Sequence, residues 1–582
     1  MRLVFRALSL AVLGLALFLW LRSRVEVEAA GAPLGRFRFV DIAAQAGLDV
    51  VNVSGDPRRW YIPESNGNGA AWFDFEDDGD LDLFIGNGQG LRYVDDGARL
   101  ETRSVATSRL YLNEGFLHFR AAPLESGAAR EEWVNGVAAG DVDDDGDTDL
   151  YLACFGPDVF LRKEGNRFVE ATASSGLGNE LWAASAAFGD ANRDGSLDLY
   201  VANYCLFDLA HPPAGGKRNV IEGVEVAWGP EGENKQGYNP GAPDAYFQND
   251  GKGAFRAWTA EAGFVLEKPL CSYGCVWSDV TDDGWVDLLV ANDLQPANLF
   301  VNQGEGRFRD EALERGFAFN AEGKATSAMG LLVEDVDDDG DFDVLRTNFD
   351  LEPNCLHVND GSGRFADKAG NYGLAEASLD KLGWDGAFFD GENDGDLELL
   401  IANGHVYPQS AEIGLHDWLQ PTQLFEGLPH RRFGIAWQDA TADAGPGLAS
   451  PRSARGVAVA DPDDDGDIDV LIVDLDGPPR FLRNDSPKLG HWLGLELVGK
   501  YGNRDAYGAK VAIQAGKKTW TREVRAASGL YSSRDPRVLV GLGDATRIDS
   551  VVIRWPSGNL QVEEHVPIDR YYLVRERVEE TR

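Results

Sequence analysis

The chain has 582 residues, 43% of them hydrophobic and only 25 of them proline, a composition that excludes a disordered polymer despite its acidity. Its 96 acidic and 54 basic residues leave a formal charge of −42. Nucleic acid and anionic membrane surfaces are therefore repelled as partners, whereas cations and basic surfaces fit.

The N-terminus reads as an export element. Arg2 and Arg6 precede an apolar run from Ala7 to Leu21, and Arg22 and Arg24 follow it. A helix of that length reaches about 22 Å, short of a hydrocarbon core of about 30 Å, which favours a secretion signal. The small residues Ala29, Ala30, Gly31 and Ala32 offer a cleavage site, but they lie far from Leu21, so a short uncleaved membrane tether also fits. Residues 1–34 are thus a leader or anchor plus linker. The rest is expected to be extracytoplasmic: secreted, periplasmic or membrane-tethered.

From there an acidic motif recurs seven times, beginning at Asp74, Asp141, Asp190, Asp279, Asp335, Asp390 and Asp461. Each copy runs into a short Leu/Ile/Val-rich segment such as "LDLFIGN" or "VDLLVAN", which reads as a buried strand. A second signature alternates with it, an aromatic residue followed eight positions later by glycine. Its copies are Phe39/Gly47, Phe119/Gly127, Phe168/Gly176, Phe255/Gly263, Phe308/Gly316, Phe365/Gly373 and Trp437/Gly445. Between the two signatures usually lies a third strand, for example "LYLN", "YFQN", "LFVN", "LHVN" or "FLRN".

Seven four-stranded units describe an all-β fold, a seven-bladed β-propeller over residues 35–487. The series opens with an aromatic strand and ends without one. Residues Phe37 to Ile42 are therefore expected beside Arg480 to Asn484, closing the ring and covering its edges. The longest interval holds an insertion of about residues 205–244, rich in Gly, Pro and aromatic residues, which reads as an ordered loop over one face. The five cysteines (154, 205, 271, 275 and 355) show no zinc or redox spacing and read as structural.

In "DVDDDGDTD" positions 1, 3 and 5 place oxygens on one side of a tight turn. Glycine at 6 permits the reversal, position 7 offers a carbonyl and position 9 closes the shell. Hard oxygen donors in that number suit Ca²⁺, whose charge offsets the repulsion among carboxylates. The expected ligands are Asp74, Glu76, Asp78 and Asp82; Asp141, Asp143, Asp145 and Asp149; Asp190, Asn192, Asp194 and Asp198. The later loops supply Asp279, Thr281, Asp283 and Asp287; Asp335, Asp337, Asp339 and Asp343; Asp390, Glu392, Asp394 and Glu398; Asp461, Asp463, Asp465 and Asp469. That gives up to seven ions, with the Thr281 loop weakest. An EF-hand is excluded, because position 12 is Ile85, Leu152, Val201, Val290, Arg346, Ile401 or Ile472, never an acid.

After Pro487 the motif stops. Alternating runs such as "WLGLELVG", "AKVAIQAG" and "SVVIRWPSG" indicate a small, more basic β domain over 488–582. Here a resemblance appears. The loops and strands resemble FG-GAP/VCBS repeats of integrin-type propellers. The tail, through "GNRDAYGAKV", "REVRAASGLYSS", "VGLGD" and "WPSG", resembles the ASPIC/UnbV domain of the cartilage acidic protein family, as does "ANGHVYP" at 402–408. The resemblance implies an exported, Ca²⁺-binding and largely non-enzymatic protein, with some bacterial relatives tied to enediyne biosynthesis.

The leading expectation is a non-enzymatic platform, with structural Ca²⁺, that binds a protein or carbohydrate through loops on one face. The alternative is an enzyme or accessory protein of a biosynthetic pathway. Its site would lie on the propeller axis or under the insertion, near His405, with His416 and Asp417 as further candidates. The plainer reading of His405 is a loop residue holding a turn. No nucleophile elbow, zinc-protease helix or phosphate loop is present in the sequence.

Overall fold

The computed structural model describes residues 36–59, 61–95, 99–212, 219–221, 224–226, 240–527 and 529–577. The leader and most of the insertion lie outside these residues. Among the described residues no helix is long and apolar enough to cross a membrane.

Seven four-stranded antiparallel sheets follow the two signatures, and their strands are lettered A to D here. In sheet 1 these are Ala70–Phe73, Asp82–Ile85, Arg109–Asn113 and Phe119–Ala121. The acidic motif is the A–B turn in every case, and the aromatic residue opens strand D in six sheets, while in the sixth Trp437 lies inside the longer strand Gly434–Asp439. Sheet 7 takes strands A to C from Ala454–Ala460, Asp469–Asp474 and Arg480–Asn484. Its fourth strand is Phe39–Asp41, from the other end of the chain, with Phe39 opposite Asn484 and Asp41 opposite Leu482.

The aromatic/glycine signature has a physical reason. The glycines at 47, 127, 176, 263, 316, 373 and 445 all have φ between 71° and 100°. A Cβ at Gly47 would stand 2.4 Å from the carbonyl oxygen of Phe119, and the same approach links Gly127 to Phe168, Gly176 to Phe255, Gly263 to Phe308, Gly316 to Phe365 and Gly373 to Trp437. Gly445 meets Phe39. Each sheet's glycine thus packs on the aromatic strand of the next, and the series returns to its start. Only glycine fits, on both conformational and steric grounds.

Strand C ends in asparagine in five sheets, and that residue ties each sheet to its predecessor. The Nδ2 of Asn302 donates to the carbonyls of Val286 (3.0 Å) and of Ala191 (2.7 Å), the second residue of the preceding acidic turn. Asn249, Asn359 and Asn484 reach Val142, Val280 and Gly391 in the same way. Asn113 of sheet 1 reaches Pro462 of sheet 7. In sheet 2 the place is taken by Lys163, whose buried Nζ meets Asp77 of the first turn at 3.0 Å.

The C-terminal residues form a three-stranded sheet (His491–Val498, Val538–Gly543, Tyr571–Arg575) and a four-stranded one (Lys510–Ala515, Lys518–Glu523, Ser550–Arg554, Leu560–Glu563). With the seven sheets they make one compact unit from Phe37 to Arg582. The five cysteines are buried and form no disulfide.

Candidate metal centres

Each acidic turn is organised by its own carboxylates. The position 1 carboxylate accepts the N–H of glycine 6, from 2.7 Å at Asp390 to 3.2 Å at Asp190. The position 5 carboxylate accepts the N–H of position 7 in all seven, at 2.9–3.2 Å. Position 9 anchors strand C: Asp82 accepts the Asn113 N–H, and Asp149, Asp198, Asp287, Asp343 and Asp469 repeat this with Lys163, Asn249, Asn302, Asn359 and Asn484. Glu398 does so with Gly427 through its longer chain. These bonds use part of the oxygen set and hold the rest in place.

The remainder faces inward. Positions 1 and 9 are buried in six loops; in the first, Asp82 is buried and Asp74 half-exposed. Position 5 reaches solvent except at the half-buried Asp394. Three carboxylate oxygens converge within 4.8 Å in four turns: Asp141, Asp143 and Asp145; Asp335, Asp337 and Asp339; Asp390, Glu392 and Glu398; Asp461, Asp463 and Asp465. Buried oxygens of Asp143, Asp149, Asp190 and Asp337 accept no hydrogen bond. Burial pushes the carboxyls of Asp82, Asp141, Asp190 and Asp390 up to about 7 and those of Asp149 and Asp335 to about 8. Asp198, Asp287, Asp343, Asp469 and Glu398 are also raised well above the usual carboxylate range for the same reason. Buried, unbonded, crowded acceptors are the donor set a hard divalent cation requires, and these residues fit one.

The third and fourth turns differ. Asn192 donates through Nδ2 to Asp194 at 2.9 Å. Thr281 turns its hydroxyl onto Asp287 (3.1 Å), and the Arg554 guanidinium occupies Asp279 at 2.8 Å. In the fourth turn a guanidinium of the protein itself thus stands against the position 1 carboxylate, and it also pairs with Asp282. Sequence reasoning also passed over the position 7 carboxylates of Asp341 and Asp467, pushed up to about 7 and 8 by burial, and the strand C asparagines, whose recurrence at the end of the quoted runs was the available signal.

Arg554 belongs to the C-terminal β domain, which lies across these turns. Asp505 accepts the N–H of Asp141 (2.8 Å), and Gly195 O accepts the Asn503 N–H. Lys510 reaches Gly340 O (2.7 Å), Lys518 and Trp520 reach Gly395 O, and Tyr571 donates to Asp461 (3.0 Å). Six turns are engaged; no such contact is found for the first among the described residues, and a Cβ on Gly79 would meet nothing within 4 Å.

The same domain sends a segment between the A strands of the first, second and fifth sheets. Most A strands bulge where they leave strand B, which frees backbone donors. Val137 N–H donates to Tyr531 O (2.8 Å), Leu331 N–H to Gly529 O (3.1 Å) and Ser533 N–H to Ala70 O (2.8 Å). Leu530 and Tyr531 are buried among Trp182, Tyr273, Met329 and Trp384. An axial active site, the alternative considered above, meets this segment instead.

His405 is fully buried. Its Nδ1 accepts the Tyr407 N–H (3.0 Å), its Nε2 stands 3.7 Å from Asp350, and burial lowers its pKa to about 4. The same Asp350 binds His416 Nδ1 at 2.5 Å. His405 is thus a neutral imidazole that pins a turn, while His416 is partly exposed.

Residues 499–581 match the ASPIC and UnbV family, and residues 141–201 and 279–346 match the FG-GAP-like repeat. The chain carries FG-GAP-like repeats and an ASPIC/UnbV domain. It is weakly homologous to cartilage acidic protein 1, with 25% identity over 340 residues of the Mus musculus protein and 25% over 327 of the Homo sapiens one. Those alignments cover 56% and 55% of this chain and 48% and 45% of the relatives, so the chain matches about half the length of each. No catalytic family is indicated among these matches. Similar solved structures include an Agrocybe aegerita lectin that recognises non-reducing terminal N-acetylglucosamine (TM-score 0.36, 14% identity, 65% of this chain and 81% of that one). Another is YCF48 bound to D1 peptide (TM-score 0.39, 9% identity, 78% and 99%). Likenesses this low carry no argument about ligands.

Proposed function

We propose that this FG-GAP/ASPIC protein is an extracytoplasmic, calcium-braced binding platform without catalytic activity. In this reading the seven sheets are the blades of a closed propeller over residues 35–487, sealed by Phe39–Asp41, and residues 488–582 are its cap. Calcium sits in the acidic turns, held by the carboxylates of positions 1, 3, 5 and 9. The fourth turn relies on Arg554, so six ions are expected rather than seven. The observation that carries the reading is the set of buried carboxylate oxygens in those turns that accept no hydrogen bond. A cation supplies the missing partner and charge.

The cap also bears on where a partner binds. The face formed by the acidic turns is engaged by the chain's own C-terminal domain. A protein or carbohydrate ligand is therefore assigned to the opposite face, formed by the B–C and D–A connections, from which the 205–244 insertion departs. The enzyme alternative near His405 has against it the burial of that imidazole and the filled axis.

Two measurements test the proposal. Metal analysis of protein purified in calcium should return about six ions per chain. Immobilised protein should retain a partner from the exported fraction in calcium and release it on chelation. Calcium-free protein of unchanged stability, or retention indifferent to chelation, would refute it.

A further inference from the structure

The fifth sheet breaks the repeat at two buried places. At the twelfth position of the acidic motif six copies carry Ile, Leu or Val, and the fifth carries Arg346. At the third residue of strand C the others carry Tyr111, Leu161, Phe247, Phe300, Phe425 and Leu482, and the fifth carries His357. Arg346 is 1% exposed and His357 0%.

These departures converge. Arg346 lies opposite Cys355 and Val344 opposite His357, so the alternation of strands puts Arg346 and His357 on one face of the sheet. Both turn to the same ring: the guanidinium carbon is 5.3 Å from the Phe317 centroid and the imidazole 5.0 Å. The surroundings are the apolar layer between the fourth and fifth sheets, including Leu289, Leu299, Leu331 and Phe365.

What is missing is an acceptor. Nε and Nη2 of Arg346 and both ring nitrogens of His357 are buried without a hydrogen-bond partner. No carboxylate forms an ion pair with Arg346 among the described residues. The neighbouring Cys355 thiol interacts with the guanidinium but cannot balance its charge, because burial pushes the thiol up to about 11 and keeps it neutral. An unpaired guanidinium in an apolar layer is strongly destabilising. Phe317 offers it only a ring face.

We propose that Arg346 and His357 form an internal site for a small monovalent anion of the halide class, seated between the fourth and fifth sheets. The donors available are the Arg346 N–H groups and the one N–H of the neutral His357 imidazole, and the guanidinium charge excludes a metal cation. They are too few to satisfy the several oxygens of a phosphate or sulphate. A water molecule could accept from them but would leave the guanidinium charge uncompensated.

The test uses the full chain with calcium supplied as acetate. Crystals soaked in bromide should show an anomalous peak within hydrogen-bonding reach of Arg346 Nε or Nη2. The melting temperature should be higher in bromide than in methanesulphonate of equal ionic strength. The double variant Arg346→Leu, His357→Phe carries residues that other sheets use at these positions. It should fold, lose the peak and melt alike in both salts. Absence of the peak in the wild type, a water refined in its place, or halide dependence that persists in the double variant would overturn the site. Should the double variant fail to fold, the wild-type bromide map decides.

Discussion

Removing the divalent ions should invert the way stability depends on pH. In the metal-free chain burial raises Asp82 and Asp461 to about 7, and Asp149 and Asp335 to about 8. Unfolded aspartate titrates near 3.9. Between about pH 4 and pH 8 the folded state therefore holds protons that the unfolded state has released. By linkage stability then falls as pH rises, and the loss is complete only above the folded values. A bound cation reverses the sign, because it needs the carboxylates ionised and protons compete with it. At a free concentration one hundred times its dissociation constant, each ion contributes about 2.7 kcal/mol, and six together about 16 kcal/mol. With unfolding entropies near 2.1 cal/mol/K per residue, that corresponds to a shift of about 13 °C in a chain of this size. Scanning calorimetry on resin-stripped and calcium-loaded protein at about pH 5.5 and pH 8 reads both effects. The stripped protein should melt higher at the acid value and the loaded protein higher at the alkaline one. If the two samples melt within about 2 °C of each other at pH 8, or if acid destabilises the stripped chain, the reasoning fails.

Three further outcomes are expected. Gly529→Ala places a Cβ 1.6 Å from Leu331 O at a φ of 113°, so the axial segment must shift and lose backbone bonds to the A strands. The expected destabilisation is about 3 kcal/mol or more in urea unfolding, with faster proteolysis of the C-terminal domain, and a change below about 0.5 kcal/mol would contradict it. Asn302→Ala leaves the carbonyls of Ala191 and Val286 without this donor and should cost about 2 kcal/mol in the same assay, whereas Asn→Ala at an exposed turn should be silent. Arg554→Gln should lower stability by about 1 kcal/mol, discounted for its partial exposure, without reducing the calcium stoichiometry measured by metal analysis; a seventh ion in the wild type would show that the fourth turn is a metal site after all.

The repeat was legible because its constraints are local. The acidic turn needs fixed residue types at fixed offsets, so counting recovered all seven copies and the strands beside them. The aromatic/glycine pair was legible as a pattern but not as a mechanism. Its reason is a contact between sheets, Gly263 against Phe308 for example, that no single stretch displays. Arg554 on Asp279 lies 275 residues away in sequence, and nothing in either neighbourhood announces the other. The axial segment was hidden for a similar reason. "AASGLYSS" carries small residues and a glycine, which read locally as an ordinary loop, while its partners are backbone groups of distant strands with no side-chain signature. His405 stood out as a possible catalyst because an isolated histidine in a Gly-Pro-rich loop looks exposed, and only the packing of Phe349 at 5.2 Å and of Asp350 reveals that it is not.

The seam where Phe39–Asp41 joins the seventh sheet is held mainly by backbone and amide contacts. Phe39 pairs with Asn484 through strand hydrogen bonds, Gly445 receives the backbone of Phe39, and Asn113 spans from the first sheet to Pro462 of the seventh. Asp41 also accepts the Phe481 N–H across the seam at 3.3 Å and Arg38 stands 3.9 Å from Asp485, and neither carboxylate is an expected ligand. The acidic turns, by contrast, meet the C-terminal domain through Asp141, Asp279 and Asp461, whose carboxylates are also expected ligands or whose backbone shapes the turn. An ion that fixes a turn therefore acts first on the surface offered to the C-terminal domain and only secondarily on the seven sheets. Those sheets carry their own register and packing, whereas the segment around Leu530 and Tyr531 is positioned by a domain whose footing is six of these turns. Metal loss should consequently loosen the cap and its inserted segment before the seven sheets part.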